Sequence, residues 1–475
     1  MITTRNIAHN TAYQLAGKIL STFLGVLALG MMTRYLGTEK FGWYVTTISF
    51  LQFVGILIDF GLIPVTAQMM SEPKYDKTKL FQNLLGFRFV TAIIFLGIAP
   101  FIALFFPYPP EVKIAIALST ISFLAVAMNQ IFIGFYQTKM KMHIQAIGEN
   151  IGRLVMVVGL WLLFHQQASF LPIMCVVILN SVAYTIFMWC MATKYDKPKL
   201  AFDWQIWKKI IIKMWPIAIS IICNVVYLKG DTLLLSIFRS QTEVGLYGAA
   251  YRVIDILSQM AMMIMGIMLP LLAYHWSRNL KKEFKKYYQQ SFDIIMLLAL
   301  PMTLGIIMTA PQIMEIVGGK EFISSGRPLQ ILAVAVLGVY LGAIFGHTAV
   351  SINRQKQTIW IYLSSALFTL IGYLIFIPKF GMYGAAWLAV FSELYVSLML
   401  FLTVRYYTQE KLALKTFSKI IFSTLIMTVV LFFTKNYHLF IQIVFAVLIY
   451  TTMILLTKAI SRETIKEIIS LKKHV

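Results

Sequence analysis

Apolar runs recur along almost the whole chain, separated by short polar stretches, and the run length sets the element type. Fourteen of them approach spanning length: residues 8–33, 41–64, 81–106, 112–137, 147–165, 170–193, 214–238, 244–272, 289–311, 328–350, 357–378, 382–404, 418–434 and 438–457. A helix rises about 1.5 Å per residue, so some 20 apolar residues cross a hydrocarbon core about 30 Å thick. The pattern therefore predicts an all-α polytopic membrane protein of about 14 transmembrane helices. No soluble domain fits between the spans, because the longest polar connections are about 194–213 and 273–288. The first of these holds Trp204, Trp207, Lys208, Lys209, Lys213 and Trp215. That mixture suits a helix lying at the membrane interface before the chain re-enters the bilayer.

The polar stretches carry a repeat. Arg34 to Tyr44 and Phe238 to Tyr247 both run from an apolar span through a basic residue and a polar turn into an apolar residue followed by Gly-x-Tyr. Gly42 and Gly245, like Tyr44 and Tyr247, are 203 residues apart. A second, looser match joins Tyr136–Lys141 to Ile352–Gln357, both short basic turns. Internal repeats of this kind predict two similar halves with a path between them. The expected organisation is an N-lobe of six spans (1–203), a C-lobe of six (204–407), and two further spans with a tail (408–475). Because each half has an even number of spans, the halves share topology and are related by an axis along the membrane normal.

Composition agrees: 59% of residues are hydrophobic and 13% charged, and mean hydropathy is +0.78. Those values exclude a soluble domain. The formal net charge of +22 would suggest nucleic acid in a soluble protein, but here its distribution points elsewhere. With the N-terminus placed in the cytoplasm and sides alternating, 28 of the 41 basic residues fall on cytoplasmic loops and tails and 8 on outer loops. This bias satisfies the positive-inside rule and predicts both termini inside. The excess charge then reflects topology and attraction to anionic lipid rather than nucleic acid. Arg5 precedes the first apolar run, but no small-residue cleavage site follows, so that span is expected to be retained. Cys175, Cys190 and Cys223 form no CxxC and read as small packing residues. The seven histidines are scattered without HExxH, and no phosphate loop occurs, so neither a metal site, another cofactor nor autonomous ATP use is expected.

Five basic residues remain inside the spans: Lys18, Arg88, Arg153, Lys229 and Arg252. Each costs about 2.5–3.5 kcal/mol to insert, which disfavours lipid-facing positions. They are expected to face the bundle interior or a water-filled cavity, with snorkelling or structural ion pairing as the plainer alternative. Glu149 and Arg153 are four apart on one helix face, in the favourable order for a pair. Asp231 follows Lys229 and Gly230, while Arg252 and Asp255 are three apart. Asp59 lies near the end of the second span and Glu393 midway along the twelfth. Such a cavity suits an anionic head group, a diphosphate for example, held by charge-assisted hydrogen bonds. Buried acids also suit coupling to protons or sodium, and the residues alone leave both roles open. In the tenth span Gly338, Gly342 and Gly346 form a smooth stripe for close helix packing.

A family resemblance rests on several of these positions. Arg34-x-Leu36-Gly37-x-x-x-Phe41-Gly42-x-Tyr44, Asp59-Phe60-Gly61-Leu62, Asp231-x-Leu233-Leu234, Val244-Gly245-x-Tyr247-x-x-Ala250-x-Arg252, and Gly384-Ala385-Ala386 with Glu393 occur in order. Together they resemble the Wzx-type polysaccharide flippases of the multidrug/oligosaccharidyl-lipid/polysaccharide exporter (MOP) superfamily. The resemblance implies two six-helix lobes in a V around a cationic cavity, plus two C-terminal helices. It also implies moving an undecaprenyl-diphosphate-linked glycan repeat unit across a bacterial inner membrane by alternating access, beside a polymerase and chain-length proteins. Asp59, Asp231, Arg252 and Glu393 stand on motif positions of that family; the other charges rest on placement alone. A cation-coupled drug exporter of the MATE type would favour an acidic or aromatic cavity, and a lipid II flippase shares the diphosphate and lipid of the cargo. A glycosyltransferase or polymerase would need acidic catalytic motifs or a sizeable outer loop. The first outer loop is just Leu36 to Lys40, so an enzyme is not expected.

Overall fold

The computed structural model describes residues 4–59, 62–72 and 75–459, with side chains described outside 4–15, 56–59, 216–228 and positions 63, 64, 67 and 71. Among the described residues every regular element is helical. In chain order they are α1 (Thr4–Asp59), α2 (Leu62–Ser71), α3 (Lys77–Leu104), α4 (Pro110–Thr138), α5 (Met142–His165), α6 (Phe170–Ala192) and α7 (Trp204–Phe238). These are followed by α8 (Gln241–Ser277), α9 (Lys281–Gly318), a 3₁₀ turn (Lys320–Ser325), α10 (Gly326–Ser351), α11 (Gln355–Thr408), α12 (Lys415–Phe433) and α13 (Leu439–Leu456). Among the described residues, 11 helices are long and apolar enough to cross a membrane.

Two of those helices hold two spans each. α1 breaks at Gly37 (φ 67°, ψ −177°) and α11 at Gly381 (φ 56°, ψ −135°). Both angles lie where a side chain would clash, so a glycine lets one helix end and the next begin across a single residue. Each therefore consists of two helices meeting at a kink, and the breaks fall where the sequence divides the runs 8–33 from 41–64 and 357–378 from 382–404. Counting each arm, and α7 with its apolar 214–238 stretch, the helices follow all fourteen apolar runs. Elsewhere conventional signals set the ends. Asp76 caps α3 by accepting from the backbone N–H groups of Thr78 and Lys79 at 3.0 and 3.1 Å, and Asp203 caps α7 through Gln205 at 2.9 Å.

The chain forms two compact units, 1–245 and 246–475. In the first, Phe81, Phe132, Phe135 and Met188 build one core, which Ile210 and Met214 of α7 join. Phe50, Leu51, Leu96 and Ile116 build another, which Leu233 of α7 joins. α7 therefore belongs to this unit at both its ends. Lys213 of α7 pairs with Glu72 and lies over the ring of Tyr75. At the other end Tyr108 and Ser236 share a buried hydrogen bond of 2.9 Å.

In the second unit α9 is the central strut, packed against α10, α12 and α13. Glutamines fasten α12 and α13 to it. Near one end Gln289 donates to the carbonyl of Ala413 at 3.0 Å and accepts from its N–H at 2.8 Å. Near the other, the fully buried Gln442 donates to Gln312 at 2.8 Å and to the carbonyl of Tyr437 at 2.8 Å. Between them Tyr450 donates to the Leu297 carbonyl at 2.7 Å. An apolar recess of about 460 Å³ remains between α8, α9, α12 and α13, bordered by Leu257, Met302, Met427 and Val447.

Candidate functional site

The densest group of intramembrane charge lies where α1 meets α5. Gly17, Lys18, Ser21 and Gly25 recur at helical spacing on α1, and Ala146, Glu149, Asn150 and Arg153 do so on α5. The two faces approach closely: Asn150 donates to the Gly17 carbonyl at 3.0 Å, and a methyl on Gly17 would stand 2.7 Å from Ala146 Cβ. Within this seam the Glu149 carboxylate accepts from Ser21 Oγ at 2.6 Å and from Lys18 Nζ at 3.4 Å. The expected Glu149–Arg153 pair within one helix does not form, because the carboxylate turns across the interface. Arg153 instead lays its guanidinium along Gly25, about 3.6 Å from where a β-carbon would be. Among the described residues Arg153 has no ion-pair or hydrogen-bond partner. Lys18 and Glu149 keep 39% and 23% side-chain exposure, so the pair lies at the edge of the seam rather than sealed within it.

The remaining charges stand on other helices. Arg88 is fully buried, with Nε donating to the carbonyl of Ala127 at 3.1 Å; it faces the bundle interior rather than snorkelling. Asp231 is buried and accepts from the Thr232 hydroxyl at 3.1 Å, while its neighbour Lys229 is half-buried. Arg252 and Asp255 pair along α8 at 3.8 Å, both about one-third exposed. Glu393 is half-buried, and its backbone presses on Gly338, whose β-carbon would lie 2.9 Å from the Glu393 carbonyl carbon. The side chain of Asp59 lies outside the described residues.

Two expectations need correction. Of the glycine stripe on α10, Gly338 alone is in contact too close for a methyl: Gly342 has open space and Gly346 has ordinary contacts. Cys175 and Cys190 are free and face out of the bundle rather than packing within it, while the side chain of Cys223 lies outside the described residues. Ser21, Gln289, Gln312 and Gln442 were not singled out by sequence reasoning. Their signal was weak, being ordinary polar residues in or beside spans without a charge to mark them. Among the described residues no group of three or more His, Cys, Asp or Glu is placed to hold a metal.

The sequence signature of a family described as polysaccharide biosynthesis protein matches residues 31–327, most of the chain. The chain belongs to that family. A probable low-salt glycan biosynthesis flippase, Agl15, of Haloferax volcanii is 30% identical over 51% of this chain and 52% of its own, so the match spans about half of that relative. A putative O-antigen transporter of Shigella flexneri is 20% identical over 80% of this chain and 93% of its own. Among solved structures, the lipid II flippase MurJ in an inward closed conformation superposes with a TM-score of 0.78 at 15% identity, covering 93% of this chain and 97% of that one. A multidrug resistance MATE family transporter of the MOP superfamily, inward-facing, gives 0.69 at 12% identity over 84% and 98%. At such identities the likeness concerns fold, and it places this family member in the MurJ/MATE-like fold. As a member of this family, with 11 helices among the described residues long and apolar enough to cross a membrane, it is a multi-pass membrane protein and not an enzyme.

Proposed function

We propose that this protein is a flippase for undecaprenyl-diphosphate-linked oligosaccharide repeat units, acting in surface polysaccharide biosynthesis at a bacterial cytoplasmic membrane. The observation that carries the reading is the α1–α5 seam. Glu149 pairs with Lys18 alone, which leaves Arg153 without an ion-pair partner among the described residues and an excess positive charge in the seam. An uncompensated cation there is costly unless it serves an anion, and a lipid-linked diphosphate supplies one at that depth. The glycan and diphosphate would cross through a cationic cavity by alternating access while the polyprenyl tail stays in lipid. Arg88, Lys229 and Arg252 are the further candidate cations, and Asp59, Asp231, Asp255 and Glu393 the candidate coupling or structural acids. The proposed organisation is two six-span lobes, 1–203 and 204–407, with 408–475 appended and both termini cytoplasmic. A polymerase and chain-length proteins are the expected pathway neighbours.

The test is deletion of the gene in its native host with complementation. Loss of surface polysaccharide, with lipid-linked repeat units accumulating on the inner leaflet, is the expected result, and the wild-type chain restores export. Normal polysaccharide in the deletion strain would overturn the reading. Lethality with accumulated lipid II would point instead to the peptidoglycan precursor, which carries the same diphosphate.

A further inference from the structure

We infer that Glu149 is a resident counter-anion that occupies the substrate's place on Lys18, beside the unpaired Arg153, and gives way to a diphosphate when cargo binds. The inference rests on the reading above and deepens it. Two cations one seam apart would match the two negative charges of a lipid-linked diphosphate diester. In the structure, however, a carboxylate already engages one of them: Glu149 is held by Ser21 Oγ at 2.6 Å and by Lys18 Nζ at 3.4 Å. Arg153 lies one turn further along α5, against Gly25, with no anion of its own among the described residues.

The geometry has two consequences. With no cargo present, Lys18 would be a bare cation within the membrane, and Glu149 neutralises it. With cargo present, the same carboxylate repels the diphosphate and competes for Lys18. The longer contact, 3.4 Å to Lys18, is the one a phosphate oxygen would replace, while the short 2.6 Å bond to Ser21 keeps the carboxylate in position to return. Glu149 therefore weakens binding and favours release, a positioning and specificity role rather than direct capture of the cargo. A carrier with two free cations and no internal anion would hold its product after crossing.

The experiment measures binding of farnesyl diphosphate to the purified full chain in detergent, with inorganic pyrophosphate as a lipid-free comparison, alongside polysaccharide export in cells. Glu149→Gln keeps the shape and the acceptor for Ser21 but removes the charge. It is expected to bind farnesyl diphosphate about tenfold more tightly and to export more slowly. Glu149→Asp, which keeps the charge, should not tighten binding. Ser21→Ala, which unpins the carboxylate without changing charge, should tighten it by a few-fold and carries the test if Glu149→Gln yields no folded protein. Unchanged or weaker binding in Glu149→Gln, or equal tightening in Glu149→Asp, overturns the counter-anion role while leaving the diphosphate reading intact. If the wild type fails to bind, or Arg153→Ala and Lys18→Ala bind as wild type does, the diphosphate site itself is wrong.

Discussion

Gly42 and Gly245 pack against one another, backbone to backbone. A β-carbon on Gly42 would lie 1.8 Å from the Gln241 carbonyl oxygen, and one on Gly245 would lie 2.0 Å from that of Thr38. The contact is reciprocal, since Thr38 and Gln241 are separated by the same 203 residues as the two glycines. The repeated turn is thus self-complementary, each copy meeting the other as in an isologous interface. Thr46 Oγ1, donating to Gln241 Oε1 at 2.6 Å, fastens the same seam.

Alanine at either glycine should be badly tolerated. The obstructing atoms are backbone, which cannot rotate away, and overpacking of this kind costs about 1–3 kcal/mol or more. Gly42→Ala and Gly245→Ala are expected to lower the thermal unfolding midpoint in detergent by several degrees. Gly342→Ala is the control: with nothing near its β-carbon position, it should leave the midpoint unchanged.

The kinks at Gly37 and Gly381 impose a different penalty. Here the backbone angles themselves exclude a side chain, at about 1–3 kcal/mol each. Gly37→Ala and Gly381→Ala should reduce the yield of monodisperse protein on size-exclusion chromatography. Yields equal to wild type would mean the helices join there by another conformation.

Transport should respond to charge while folding does not. Arg153→Ala and Arg252→Ala are expected to cut polysaccharide export severely, with membrane insertion and expression near wild type. Retained export in both variants would remove the cationic site from the mechanism.

Gln442 is a structural prediction. It is buried and bonded to Gln312 and to the loop before α13. Replacing it with Leu removes the donor to the Gln312 side-chain oxygen and leaves the loop carbonyls to Gln312 Nε2 alone, at about 1–3 kcal/mol. Proteolysis within residues 434–438 should accelerate, and the same cleavage rate as wild type would mean the glutamines do not hold α13 in place.

How much of this was legible depended on whether the determinant was local. Run length and hydropathy are properties of contiguous residues, and a bilayer of fixed thickness converts them directly into spans, so all fourteen runs reappear as helices or helix arms. The repeat was equally readable, because Gly42 and Gly245 carry the same neighbours. Their mutual contact was not, since no single-chain pattern records which backbone segments pack together too closely for a side chain.

Charge pairing divides in the same way. Arg252 and Asp255, on one helix three residues apart, were readable and pair as spacing allows. Glu149 had a partner four residues away and chose one 131 residues away, because the orientation of α5 against α1, set by Gly17, Ala146 and Asn150, aims its carboxylate across the seam. The sequence by itself determined an all-helical multi-pass membrane protein, a repeated turn and a set of basic residues within apolar runs. Only the tertiary structure decided which cation pairs with which anion, because that depends on which helix faces meet, and side chains on one face are fixed by packing rather than by their neighbours in the chain.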